Sequence, residues 1–241
     1  MQYYGMSNKG KVRGNNEDFF HIPENENDYK LFIVADGMGG ENAGEVASAL
    51  AVSEAVVCFR DGIKNENDIP LLLRRAVNAS NKLVYNTAKS SSEYDNMGTT
   101  LVCAYFDSNT VFVANVGDSR CYKLSNGVFK QISIDHSFVQ EMLDKGLITE
   151  GEAKNHPNKN LITRAIGVDR FVNADIFNEP WEKGDMLLLA SDGLSGMLQK
   201  SEIEDIVKGC SDCRDGVKKL IKAANAAGGK DNITAILISE V

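Results

Sequence analysis

Leu31-Phe-Ile-Val-Ala-Asp36-Gly37-Met-Gly-Gly40 joins an uncharged apolar run to one carboxylate and then to three glycines. The run Leu31 to Ala35 is short, and Ile33 and Val34 are β-branched, which predicts a strand buried on both faces. Asp36 is then expected at the strand's exit, where the chain leaves the core. Gly37, Gly39 and Gly40 permit a tight turn and a close backbone approach to a ligand. Alone, the stretch reads as a strand followed by an Asp-Gly turn.

The chain repeats the pattern. Met186-Leu-Leu-Leu-Ala190-Ser-Asp192-Gly193-Leu-Ser-Gly196 is again an apolar strand, an Asp-Gly and a later glycine. Two buried strands that each deliver a carboxylate at the carboxyl end suggest a shared site. A third acid, Asp231 in Gly228-Gly-Lys-Asp231-Asn232, stands before the apolar run Ile233 to Ser239. If that run pairs antiparallel with one of the others, its start lies beside their ends, and Asp36, Asp192 and Asp231 converge. Three anionic groups in one place need cations, and oxygen-only ligands select Mg²⁺ or Mn²⁺ over zinc. Asp118, in Val116-Gly-Asp118-Ser-Arg120, is a fourth candidate, whose plainer reading is a hairpin turn. Glu17 and Asp18 are a fifth point: they read as a solvated corner or as groups that hold a metal's water ligands.

Composition bounds these readings. The 241 residues are 43% hydrophobic and 25% charged, which fits one large domain or two small ones, and no Pro-, Gly- or Ser-rich linker divides the chain. We therefore expect one domain, 1–241. The net charge of 26 − 34 = −8 disfavours nucleic acid and anionic membrane as partners and suits divalent cations. No apolar run approaches the ~20 residues of a membrane span, and the start lacks a signal-peptide pattern. A cytoplasmic monomer is the expectation. Cys58, Cys103, Cys121, Cys210 and Cys213 are an odd set, expected as reduced thiols. The lone Cys210-x-x-Cys213 lacks the second pair that a structural zinc requires.

Along the chain, residues 1–22 read as two strands around a polar loop containing Lys9, Lys11 and Arg13, and Glu24 to Asp28 as an acidic surface turn. Helices are predicted over Ala43–Phe59 and from a cap at Asp68 with Pro70 in its first turn. The runs 99–106, 110–116, 120–124 and 128–132 predict one antiparallel meander. Ser137–Lys145 and Thr149–Lys154 predict short helices in a mobile flap, about 137–165. Strands return at Phe171–Phe177 and Met186–Ala190. Helices follow from Ser201, with Glu204 as a capping box, and over Arg214–Ala227. Two sheets face to face with helices outside would bury every apolar face, an α+β, four-layer α-β-β-α sandwich.

Eight motifs now stand in one order: Arg13-x-x-x-Glu17-Asp18, Val34-Ala-Asp36-Gly37-Met-Gly-Gly, Gly98-Thr-Thr, Val116-Gly-Asp118-Ser-Arg, Asp135-His136-Ser, Leu161-Ile-Thr-Arg-Ala-Ile-Gly167, Ala190-Ser-Asp192-Gly193 and Lys230-Asp231-Asn232-Ile-Thr. The chain resembles the bacterial metal-dependent serine/threonine protein phosphatases of type 2C over essentially its whole length. The resemblance implies the same sandwich and a water attacking phosphorus between two divalent metals ~3.5–4 Å apart. It implies that Asp36 bridges the metals, that Gly37 gives its carbonyl to one, and that Asp192 and Asp231 complete the other. A third, weaker site falls to Asp118 with Asp192. Arg13 would clamp the substrate phosphate, while Glu17, Asp18 and Asn232 support the site from behind. Phosphorylated proteins, among them a Ser/Thr kinase and its substrates, are the implied partners.

One departure stands out. Eukaryotic relatives carry a histidine after the Asp-Gly, proposed as acid for the leaving group, and here that position is Met38. His156, in the flap, is a second candidate acid, and its plainer reading is a surface-loop histidine. His136 reads as structural and His21 as uninvolved. A cysteine-dependent mechanism needs Cys-x₅-Arg. The residues six places after the five cysteines are Lys64, Asn109, Gly127, Gly216 and Lys219, so it has no support. Two other classes share this fold or site: a non-catalytic regulatory member, which would lack the metal carboxylates kept here, and a phosphohydrolase of small phosphomonoesters.

Overall fold

The computed structural model describes residues 1–25, 28–39 and 43–240. Gly40 of the opening stretch, and Glu26 and Asn27 of the acidic turn, lie outside the described residues.

Among the described residues, eleven strands form two antiparallel sheets. One orders β1 (Gln2–Asn8), β11 (Ile233–Ser239), β10 (Met186–Ala190), β7 (Arg120–Ser125) and β8 (Val128–Gln131). The other orders β2 (Asp18–His21), β3 (Leu31–Met38), β5 (Leu101–Asp107), β6 (Thr110–Val116) and β9 (Asp175–Pro180), with the short β4 (Gly98–Thr99) continuing beside β3. The helices α1 (Ala43–Gly62) and α2 (Ile69–Ala88) cover the second sheet. The first is covered by α5 (Asp192–Ser195), α6 (Lys200–Lys208) and α7 (Cys213–Ala226). Between β8 and β9 stand α3 (Phe138–Asp144) and α4 (Glu150–Asn155).

The period-2 alternation of β3 explains both its composition and the placement of its acid. Leu31, Ile33 and Ala35 pack under α1 and α2, whereas Phe32 and Val34 pack between the sheets. Both faces are buried, so the run is continuously apolar. Asp36 continues the inward-facing series of Phe32 and Val34. In β10 the same rule puts Leu187 and Leu189 between the sheets and Leu188 and Ala190 under the helices. The end of the inter-sheet layer where β3 and β10 finish is therefore polar.

Four sequence expectations change. The β3 strand does not end at Asp36: it continues through Gly37 and Met38, which pair with Thr99 and Gly98. A turn is replaced by strand because β4 supplies a partner. The expected meander is split, since β5 and β6 pair in one sheet and β7 and β8 in the other. Gly117, at φ +103°, carries the chain across; that conformation costs a glycine little. Asp118 thus sits on a crossover and not in a hairpin. The strand expected from Phe171 starts only at Asp175. Asn81 holds the preceding loop instead, accepting from Gly167 N at 2.8 Å and donating to the Asp169 carbonyl at 3.0 Å. Finally, α6 begins at Lys200 with Gln199 as its cap, whose N–H donates to Glu202 at 2.7 Å, while Glu204 pairs with Lys208.

Candidate metal centre

The site lies where the two sheets face each other at their polar end. Asp18 is opposite Asp36 in the β2–β3 ladder, on the same inward face. From the other sheet, β10 ends at Ala190, and Asp192 follows at the start of α5. The β11 strand runs antiparallel to β10, which brings Asp231, just before its start, to the same end. Asp118 arrives on the Gly117 crossover. Five carboxylates from both sheets thus meet at one end of the inter-sheet layer.

Their electrostatics are adverse. Withdrawal from water, then repulsion from Asp18, Asp192, Asp118 and Asp231, holds the Asp36 carboxyl well above the ordinary carboxylate range. Burial and the Asp192 charge push Asp118 up to about 7. Burial, only partly offset by hydroxyl donors, pushes Asp18 up to about 7. Asp192 is raised by burial and by Asp231, against a hydrogen bond with Asp36. Asp18 Oδ1 is buried without a hydrogen-bond partner. An all-oxygen cluster whose members discourage one another's ionisation, with an orphaned buried acceptor, fits hard divalent cations and their waters. Among the described residues no three acids close on one point as a finished cage. Arg13 is turned onto Asp231 instead, with Nη2 2.9 Å from Oδ2.

Backbone fit accounts for the glycines. A Cβ on Gly37 would run into the Gly44 carbonyl oxygen and stand 2.5 Å from that of Glu17. Gly37 N donates to the Glu17 carbonyl at 3.2 Å, and Ser48 Oγ donates to the same oxygen at 2.6 Å. The echo holds at Gly193, where a Cβ would strike the Asn232 carbonyl oxygen. Glu17 is half-buried, and its carboxyl is raised by burial. Asn232 fastens the loop that bears Arg13: it accepts from Glu17 N at 2.8 Å and donates to the carbonyls of Lys9 and Asn15 at 3.0 and 2.9 Å.

Hydroxyl groups position the acids, and sequence reading gave them no role. Thr100 Oγ1 accepts from Asp36 N at 3.0 Å and shares a 2.7 Å hydrogen bond with Ser119 Oγ, tying β3 to the Asp118 crossover. Thr99 Oγ1 donates to the Asp36 carbonyl at 2.9 Å. Ser191 Oγ donates to Asp18 Oδ2 at 2.8 Å and accepts from Thr234 N at 2.9 Å, joining the sheets. The available signal was confined to Ser119 and Ser191, which directly adjoin Asp118 and Asp192 where buried polar groups must be paired; Thr99 and Thr100 adjoin no acid in the sequence.

The histidines separate by role. His136 Nδ1 accepts from Gly117 N at 3.0 Å, while the His136 backbone N–H donates to the Gly117 carbonyl at 2.9 Å. Its Nε2 lies 3.2 Å from Asp175 Oδ2, so the ring clamps the crossover, in keeping with a structural histidine. His156 follows α4. Its ring packs on Phe138 and its Nδ1 accepts from Asn158 N at 3.1 Å, leaving Nε2 as the nitrogen able to donate. Among the described residues, no hydrogen bond or ion pair joins it to the carboxylate cluster.

This fold and acidic centre define a class, and comparison with known proteins agrees. The model of the family described as Protein phosphatase 2C matches residues 11–237, and the chain belongs to that family. It is 40% identical over 234 residues to the serine/threonine phosphatase stp of Listeria welshimeri, covering 96% of this chain and 93% of that protein. It superposes on the serine/threonine phosphatase PstP/Ppp of Mycobacterium tuberculosis with a TM-score of 0.91 at 34% identity, covering 100% of this chain and 99% of that one. The catalytic domain of PstP in complex with 2 manganese ions matches with a TM-score of 0.87 at 34% identity, over 98% and 96% of the two chains.

Proposed function

We propose that the chain is a metal-dependent phosphoprotein phosphatase that hydrolyses phosphoserine and phosphothreonine by direct attack of water. The observation that carries this reading is the meeting of Asp36 and Asp192, from two facing sheets, with Asp18, Asp118 and Asp231 in one cluster short of positive charge. Family membership and the two manganese ions of the PstP catalytic domain support it. A pair of divalent cations, Mn²⁺ or Mg²⁺, supplies activation of the attacking water and neutralisation of phosphoryl charge when bound.

The chain's own residues take these roles. When the cations are bound, Asp36 would be shared between them, the Gly37 carbonyl would be offered to one, and Asp192 and Asp231 would hold the other. Asp118, with Asp192, would hold a third ion more weakly. Asp18 and Glu17 would orient water at the ions, and Asp18 is itself fixed by Ser191. Arg13 leaves Asp231 to receive the phosphate, for which its planar fork is suited. Asn232 keeps the loop of Arg13 in place. His156, through Nε2, is the candidate proton donor to the leaving serine or threonine alkoxide, which becomes the free hydroxyl.

We further assign residues 1–241 to one catalytic domain, in which 137–165 form a flap that contributes to choosing protein substrates. We infer a cytoplasmic monomer that opposes a bacterial Ser/Thr kinase. No helix among the described residues is long and apolar enough to cross a membrane. The deciding assay compares phosphoserine, phosphothreonine and phosphotyrosine peptides with small phosphate esters, before and after chelation. Metal-dependent preference for the first two is expected. Activity that survives complete chelation, or restriction to small esters, would contradict the proposal.

A further inference from the structure

We propose that Lys9, Lys11 and Lys230 form a basic rim beside Arg13 that favours phosphoresidues flanked by aspartate and glutamate. The inference rests on the phosphatase reading above and adds a substrate class to it.

The rim runs against the charge of the whole. The chain carries −8, so its general field repels an acidic peptide. Yet Lys9 to Asn16 holds Lys9, Lys11 and Arg13 and no acid, and Gly228 to Lys230 adds Lys230. The fold brings these two segments together. Lys11 N donates to the Gly229 carbonyl at 2.7 Å, and Asn232 Nδ2 donates to the Lys9 carbonyl at 3.0 Å. Asn225 Nδ2 donates to Asn8 Oδ1 at 3.2 Å, securing the loop's root to α7. Between them Gly10, at φ +76°, passes so close to Asp231 that a Cβ there would strike its carbonyl oxygen. The lysine backbones are therefore held at fixed places around the phosphate clamp.

All three lysines are exposed. Among the described residues none has a carboxylate within ion-pair distance, whereas Arg13 is engaged by Asp231. Their charge is open to a ligand. A phosphate held at Arg13 would place the neighbouring residues of its peptide over this rim. Lysine suits such loose recognition: its ammonium is a mobile point charge that accepts carboxylates in several registers. Opposed charges of this kind act chiefly on encounter and selection, and salt weakens them.

The test uses the full chain with Mn²⁺ and two phosphothreonine peptides of equal length, one flanked by glutamates and one by glutamines. At low ionic strength the glutamate peptide should have a kcat/KM about 10-fold higher, the scale of three exposed ion pairs. The advantage should shrink to about 2-fold near 1 M salt, where the screening length is about 3 Å. In the Lys9→Gln/Lys11→Gln/Lys230→Gln variant it should vanish, while the glutamine peptide and para-nitrophenyl phosphate are cleaved as before. Equal kcat/KM for both peptides in the wild type, or an undiminished preference in the triple variant, overturns the rim. Failure of the wild type to cleave even the glutamine peptide overturns the phosphatase reading instead. The rim is then judged by fluorescence anisotropy of both peptides on Asp36→Asn, where equal affinities reject it.

Discussion

At the residue scale, two positions carry most of the argument. Gly37 is confined by backbone on two sides, by the Gly44 and Glu17 carbonyl oxygens. Gly37→Ala must push one of them aside. A loss of about 1–3 kcal/mol in urea unfolding is expected from such overpacking, and unchanged stability would mean that the backbone there is not tightly held. Arg13 is the second position. Its pairing with Asp231 is half-exposed and contributes little to stability, so its worth lies in the phosphate. Arg13→Ala should raise KM for a phosphothreonine peptide about 10-fold, with kcat within about 3-fold; an unchanged KM removes it from the site. The acids themselves were readable, because Asp36 and Asp192 end apolar runs where no solvated group is expected. The hydroxyl partners Thr100, Ser119 and Ser191 were not: serine and threonine are common beside strand ends, and only three-dimensional contact distinguishes a clamp from a surface residue.

At the element scale, the flap offers its own test. The capping box of Thr149 and Glu152 makes α4 locally stable, and His156 and Phe138 pack α4 against α3. Replacing 146–160 with the segment from a relative should change relative kcat/KM among phosphoprotein substrates while small-ester hydrolysis stays within about 2-fold. Identical preferences would remove the flap from substrate choice. The elements show what local sequence can and cannot give. The helix start at Asp68 with Pro70 was placed correctly, because its signal is local, whereas the capping box read at Ser201 and Glu204 is in fact built by Gln199 and Glu202. The extension of β3 through Gly37 was invisible, because it depends on Gly98 and Thr99, more than sixty positions away. The split meander was likewise hidden: a crossover and a hairpin look alike until Gly117 is seen at φ +103°.

At the scale of the whole molecule, stability and metal binding are linked through protons. Asp18, Asp36, Asp118 and Asp192 all have carboxyls raised above their ordinary range. The native state then binds more protons than the unfolded chain between the ordinary carboxylate range and about 7. Stability of the chelated protein should fall as pH rises through that window, because the ionised forms repel each other and these four acids outweigh His21 and His136, whose lowered pKa values act in the opposite sense. Divalent cations reverse the effect. The rise in melting temperature on adding Mn²⁺ should be larger at pH 8 than at pH 5, where protons compete for the same oxygens. A rise independent of pH would argue against these acids as the ligands. The sandwich itself was readable as alternating groups of strands and helices. That β3 and β10 belong to opposite sheets was not, although their matching Asp-Gly ends pointed to one shared site.

The most direct test of the two-metal assignment is Mn²⁺-dependent hydrolysis of a phosphothreonine peptide by Asp36→Asn, with circular dichroism run in parallel. Asp36 is assigned to both ions, so the account requires a fall in kcat of at least about 10³-fold with an unchanged spectrum. Undiminished turnover at saturating Mn²⁺ would contradict it.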